Sequence, residues 1–201
     1  MNCEKYKPTY ILVAVTTAVY VYTSIAGGNW LSTSQSMIIN YGQVNLLVFN
    51  GAYYQLLTSI FIHASIAHLV GNMLFLFIFG LRAEEMFSLP EYLGIYLVGG
   101  LVGNLLSLVF GPSFVSVGAS GAIFSLFGAC VIFTRRSVRQ SILGALVYAF
   151  FLLFISAGPG VNDLAHFGGL GFGLVVGYLI AASRKPQDQY SVRYKHPISP
   201  F

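Results

Sequence analysis

Long apolar runs separated by short polar interruptions dominate this chain, and their lengths read as membrane spans rather than as faces of a soluble core. A spanning helix needs about 20 predominantly apolar residues. Six stretches fit this pattern, at residues 8–26, 68–87, 89–110, 119–134, 140–157 and 163–183. Residues 27–67 contain no Lys, Arg, Asp or Glu, yet Gly, Asn, Gln and Ser interrupt them too often for a crossing. Trp30, Tyr41, Tyr53 and Tyr54 in this stretch are amphipathic aromatics of the kind that settle at headgroup level. The pattern predicts an all-α membrane protein: a six-transmembrane-helix bundle over 1–183, with a long interfacial first loop carrying short helical pieces. Residues 184–201 form a polar, basic tail containing Pro186, Pro197 and Pro200.

Composition agrees with a polytopic membrane protein. Of 201 residues, 56% are hydrophobic and 8% charged, where a soluble domain carries roughly 25% charged residues. The net charge of +4 does not indicate nucleic acid, because its placement follows the spans. Lys5, Lys7, Arg82, Arg135, Arg136, Arg139, Arg184, Lys185, Arg193 and Lys195 all fall on one side of a six-span arrangement, and the opposite side carries only Asp163. The positive-inside rule then puts both termini in the cytoplasm, with the long loop and the 111–118 and 158–162 loops facing outward. The first span competes with a signal peptide ending at Ser24-Ile25-Ala26, but it is long for an h-region of roughly 7–15 residues. Cys3 and Cys130 have no CxxC spacing, and no disulfide framework is expected.

The candidate chemistry begins at Gly118-Ala119-Ser120-Gly121. A serine at the head of a membrane helix lies beside backbone N–H groups that lack intrahelical partners, at the positive end of the dipole. Those are the parts of a nucleophile and an oxyanion site. Ser120 precedes Arg135 by 15 residues, or about 22 Å of helix in a hydrocarbon layer of about 30 Å, so it lies roughly 8 Å below the outer surface. His166 precedes Arg184 by 18 residues, about 27 Å, which brings it near the same level. Gly169, Gly173 and Gly177 follow at spacing four, a stripe that admits a close helix. Gly121 and Ser125 offer a partner stripe, and this packing brings imidazole to hydroxyl. His68 and Asn72 lie one turn apart on one face and are candidate oxyanion donors. His63 lies five residues earlier, at the membrane edge.

Each residue also has a plainer reading. A membrane serine commonly bonds backbone or a neighbouring helix, as Ser125 is read to do, and a lone membrane histidine serves as a proton relay. Asn162 and Asp163 read as the cap of the sixth span; Asp163 as a third member orienting His166 is the alternative. Metal binding by His63, His68 and His166 lacks an HExxH pattern or a nearby carboxylate, so no metal or cofactor is expected.

Three pieces taken together resemble the rhomboid family of intramembrane serine proteases: His63-x-x-x-x-His68-x-x-x-Asn72, Gly118-Ala119-Ser120-Gly121, and Ala165-His166-x-x-Gly169-x-x-x-Gly173. They occur in the family's order on the second, fourth and sixth spans, and the resemblance covers about residues 8–183. It implies that Ser120 is the nucleophile and His166 the general base of a dyad without an acid, with His68, Asn72 and the Ser120 N–H as oxyanion hole. Phe124 matches the position where the family often has a tyrosine stacked on the catalytic histidine, and His63 a position that orders the outer loop and water. The implied partners are the lipid bilayer and single-span transmembrane substrates. One departure stands out: where rhomboids often carry Trp-Arg or Tyr-Arg in the first loop, this chain has Tyr54-Gln55, so the loop is held without a guanidinium fork. The rivals are a catalytically silent rhomboid-like protein that binds membrane clients, and a transporter or channel. The latter lacks paired broken half-helices and a buried carboxylate pair.

Overall fold

The structure, a computed structural model, describes residues 7–137, 143, 144, 147 and 162–184. Helix α1 (Pro8–Ile25) begins with Pro, whose missing N–H costs nothing in a first turn. Its buried residues Thr9, Leu12, Thr16, Tyr20 and Thr23 recur every three or four positions and form one face. Tyr10, Ile11, Val15, Val21 and Tyr22 are exposed, an apolar exterior suited to lipid.

The first loop is folded rather than slack. It holds α2 (Gln35–Tyr41), a two-residue strand β1 (Gln43–Val44), α3 (Asn45–Phe49) and α4 (Gln55–Thr58), followed by a 3-10 turn at Ser59–Phe61. Helix α5 (Ile66–Met86) is capped by Ser65, whose hydroxyl accepts from His68 N. Helix α6 (Leu89–Ser107) starts at a capping box in which Ser88 N and Oγ donate to Glu91 Oε2 at 2.7 and 2.8 Å. A 3-10 turn continues α6 to Phe110. Strand β2 (Val115–Ser116) pairs antiparallel with β1, Gln43 opposite Ser116 and Val44 opposite Val115. Helices α7 (Ser120–Ser137) and α8 (Asp163–Ser183) complete the described elements.

Among the described residues, four helices are long and apolar enough to cross a membrane: Pro8–Ile25, Ile66–Met86, Leu89–Phe110 and Asp163–Ser183. Helix α7 is less apolar, because its 18 residues include Arg135 and Arg136 in the last turn, and its residues 121–130 are all buried. Apart from 143, 144 and 147, the predicted span at 140–157 lies outside the described residues, as does the tail beyond Arg184.

Helix α7 forms the centre of the bundle, against α5, α6 and α8. Its contact with α8 is backbone on backbone. A Cβ at Gly169 would collide with the Gly121 carbonyl, one at Gly173 with the Ser125 carbonyl, and one at Gly177 would lie 2.6 Å from Ala129 Cα. Helix α6 closes on the same pair through Gly103, which abuts the Ala165 carbonyl, and Gly99, which abuts Ser125. Ser125 Oγ donates to Ile95 O at 2.8 Å, so this hydroxyl joins helices.

Neutral amides hold the end of the bundle that carries the first loop. Gln55 Oε1 accepts from Val44 N at 3.0 Å, and Gln55 Nε2 donates to Ile39 O at 2.8 Å and Asn40 O at 3.4 Å. Gln43 Nε2 reaches Asn45 Oδ1, Asn104 O and Ser107 Oγ; Asn45 Nδ2 reaches Ser107 O and Gly111 O; Asn104 Nδ2 reaches Leu56 O and Ser59 Oγ. Gln55 thus satisfies loop backbone without a charge. The opposite end uses charge instead: Arg184 donates to Met86 O and to Glu91 Oε2, both at 2.6 Å, and lies over the Phe133 ring.

Candidate active site

The segment before α7 turns sharply into the protein. Gly118 has φ +122°, a conformation that side chains rarely adopt, and its N–H donates to Ser59 O at 2.9 Å. The His68 ring packs against Gly118, so that a Cβ there would come within 2.8 Å of the imidazole. Both constraints select glycine two residues before Ser120. Within α7 the first helical bond runs from Ile123 N to Ala119 O at 3.0 Å. The amides of Ser120, Gly121 and Ala122 therefore precede the helix's own pairing.

Ser120 Oγ lies 2.8 Å from His166 Nε2. With the ring hydrogen on Nδ1, the hydroxyl donates to Nε2. The approach follows from packing: Gly169 is one turn below His166 and rests on Gly121, so the imidazole rises directly against the residue before Gly121. Phe124, one turn below Ser120, stacks on the His166 ring with centroids 4.6 Å apart and planes 28° apart. Ring and hydroxyl are thereby fixed from two sides. Ser120 is half-buried and His166 buried, so the pair is shielded from bulk water without being sealed.

The other candidates gather around it with distinct roles. His63 is fully buried, and its Nε2 accepts from Ala119 N at 3.4 Å. Its own carbonyl accepts from Thr33 Oγ1 at 2.7 Å, so His63 links the first loop to the residue before Ser120. Burial, reinforced by the His68 ring 5.0 Å away and opposed by the Phe61 carbonyl, lowers the His63 pKa to about 3 and keeps the imidazole neutral. Asn72 Nδ2 donates to the His68 carbonyl one turn earlier at 2.9 Å, leaving one amide hydrogen uncommitted, and Asn72 Oδ1 is buried with no hydrogen-bond partner among the described residues. At the N-terminal end of α8, the Asn162 side chain accepts from Ala165 N at 3.0 Å and is the cap. Asp163 occupies the first turn, where an acid complements the dipole. Among the described residues no cluster of three His, Cys, Asp or Glu is arranged to hold a metal.

Two features escaped the sequence reading. One is the third helix, α6, whose Gly99 and Gly103 at spacing four were a usable signal. The other is Ser116, whose Oγ accepts from Asn162 Nδ2 at 2.7 Å; no local pattern marks it.

Helices of membrane length packed around a shielded hydroxyl–imidazole pair define a multi-pass integral membrane protein with a serine and a histidine in contact. Residues 50–183 match the rhomboid domain, and the chain belongs to the rhomboid family. It is similar to Rhomboid protease GluP of Bacillus subtilis, at 33% identity over 87% of this chain and 34% of that protein. It is 38% identical to RHOMBOID-like protein 6, mitochondrial, of Arabidopsis thaliana over 73% of this chain and 52% of the relative. Putative rhomboid protease YdcA of B. subtilis is 34% identical over 70% of this chain and 74% of its own length. The chain thus spans a third to a half of the first two relatives.

Proposed function

We propose that the chain is an intramembrane serine endopeptidase that cleaves single-span membrane proteins within or near their transmembrane segment. The observation carrying this reading is the 2.8 Å approach of Ser120 Oγ to His166 Nε2 inside a rhomboid domain, and relatives named as rhomboid proteases support it. Ser120 attacks the scissile carbonyl carbon while His166 Nε2 takes the hydroxyl proton. The tetrahedral oxyanion is held by the Ser120 N–H, the uncommitted Asn72 amide hydrogen and the His68 ring, donors worth several kcal/mol together in a site of low dielectric. The C–N bond breaks as His166 returns the proton to the departing amine. Water, deprotonated by His166, then hydrolyses the acyl-enzyme and regenerates Ser120. No carboxylate is needed: stacking on Phe124 and the packing of Gly169 orient the imidazole.

The basic residues support a topology with both termini cytoplasmic and the serine opening outward, with 184–201 as a cytoplasmic tail. A substrate helix must unwind locally there, which favours small or helix-weakening residues near the outer face. The test is a fluorophosphonate probe together with a panel of single-span substrates in liposomes. Wild-type protein labels at Ser120 and cleaves; Ser120→Ala and His166→Ala, folded and expressed normally, do neither. Folded wild-type protein that binds single-span clients yet neither labels nor cleaves would instead be a silent client-binding rhomboid.

A further inference from the structure

Besides the Ser120–His166 contact, a second hydrogen bond joins the segment leading into α7 to the start of α8. Ser120 meets His166 at 2.8 Å, and four residues outward on both sides Ser116 Oγ accepts from Asn162 Nδ2 at 2.7 Å. The second bond is buried on the Ser116 side, where the residue is 8% exposed. The two bonds close a small ring of chain: Ser116 through Ser120, across to His166, back one helical turn to Asn162, and across again. Below the dyad the separation of the helices is set by backbone contact at Gly121 with Gly169 and at Ser125 with Gly173. Above it, glycine contact is replaced by loop, and the Asn162–Ser116 bond spans the same gap.

We propose that Asn162 and Ser116 form a positioning latch that fixes the outer end of α8 and with it the distance and angle between Ser120 and His166. This rests on the proposed protease reading. Asn162 has two tasks that one amide performs at once: Oδ1 caps the helix by accepting from Ala165 N, while Nδ2 reaches the strand. Asp163, though equally suited to the dipole, is a carboxylate and has no hydrogen to give to Ser116. Serine at position 116 is in turn held in register, because β2 pairs with β1, Gln43 opposite Ser116, and Gln43 is anchored on α6 through Asn104 O and Ser107 Oγ. The latch therefore fastens the histidine helix to the lattice of the first loop. Neither residue touches the reacting atoms; both act through the geometry of the dyad, where a 1 Å displacement costs on the order of 100-fold in rate.

The experiment measures fluorophosphonate labelling rate, kcat and KM for Ser116→Ala, Ser116→Thr, Asn162→Ser and the Ser116→Ala/Asn162→Ser pair, alongside thermal stability. Ser116→Ala removes the acceptor and leaves the helix cap intact; Asn162→Ser keeps a capping oxygen but is too short to cross. The expected result for each single variant is a fall of about 10- to 100-fold in kcat and labelling rate, with KM and Tm close to wild type. The double variant falls no further than either single one, and Ser116→Thr recovers most of the rate. Labelling and kcat at wild-type values in Ser116→Ala would overturn the latch, as would losses that multiply in the double variant or that merely track a lowered Tm. Wild-type protein that fails to label at Ser120 rejects the protease reading itself, a distinct outcome.

Discussion

In the proposed mechanism Phe124 takes the orienting part that an acid would otherwise play for His166. Its ring stacks on His166 with centroids 4.6 Å apart, so rotation of the imidazole away from Ser120 would sacrifice a stacked pair worth about 0.5–1.5 kcal/mol. Phe124→Ala therefore lowers kcat severalfold while Phe124→Tyr preserves it, as steady-state cleavage will report; equal rates for all three would remove the ring from the mechanism. Asn72 sits differently. One amide hydrogen is committed to the His68 carbonyl, and the buried Asn72 Oδ1 has no partner among the described residues, so within them the amide is anchored from one side. Asn72→Ala reduces kcat by about 100- to 1,000-fold if the remaining hydrogen serves the oxyanion, with a residual rate from the Ser120 N–H and His68. An unaltered kcat would exclude that role.

At the scale of elements, the decisive packing is α7 against α8, and the sequence displayed it openly. Gly169 and Gly173 at spacing four face Gly121 and Ser125 at the same spacing, because helical periodicity fixes which residues share a face. A Cβ at Gly173 would run into the Ser125 carbonyl, a backbone atom that cannot swing aside. Gly173→Ala is expected to destabilise the fold by about 1–3 kcal/mol and to lower activity with it, measurable as reduced steric-trapping or thermal stability in detergent. What the sequence did not display are contacts between pieces lacking a period. The bond from Asn162 to Ser116 joins a helix cap to a two-residue strand 46 positions away, and the lattice of Gln43, Asn45, Gln55 and Asn104 joins loop to helix. Polar letters in an uncharged stretch announce that it does not span; they do not say which carbonyl each amide will find.

Across the whole molecule, the two ends are held by different chemistry. Glu91 and Arg184 pair at 2.6 Å at the end away from the first loop, while residues 27–67 have no charged side chain at all. Gln55→Ala would leave Val44 N and the Ile39 carbonyl without their partner, at about 1–3 kcal/mol for an unmade buried bond. The expected signs are a lower Tm and faster protease nicking between 35 and 58; an unchanged Tm would show that other amides carry the loop. With no carboxylate or ammonium in that lattice, salt has nothing there to screen and moderate changes of pH have nothing to neutralise, so the first loop should keep its shape where the Glu91–Arg184 end loosens; only acid strong enough to protonate the buried His63, at about 3, would put a charge there.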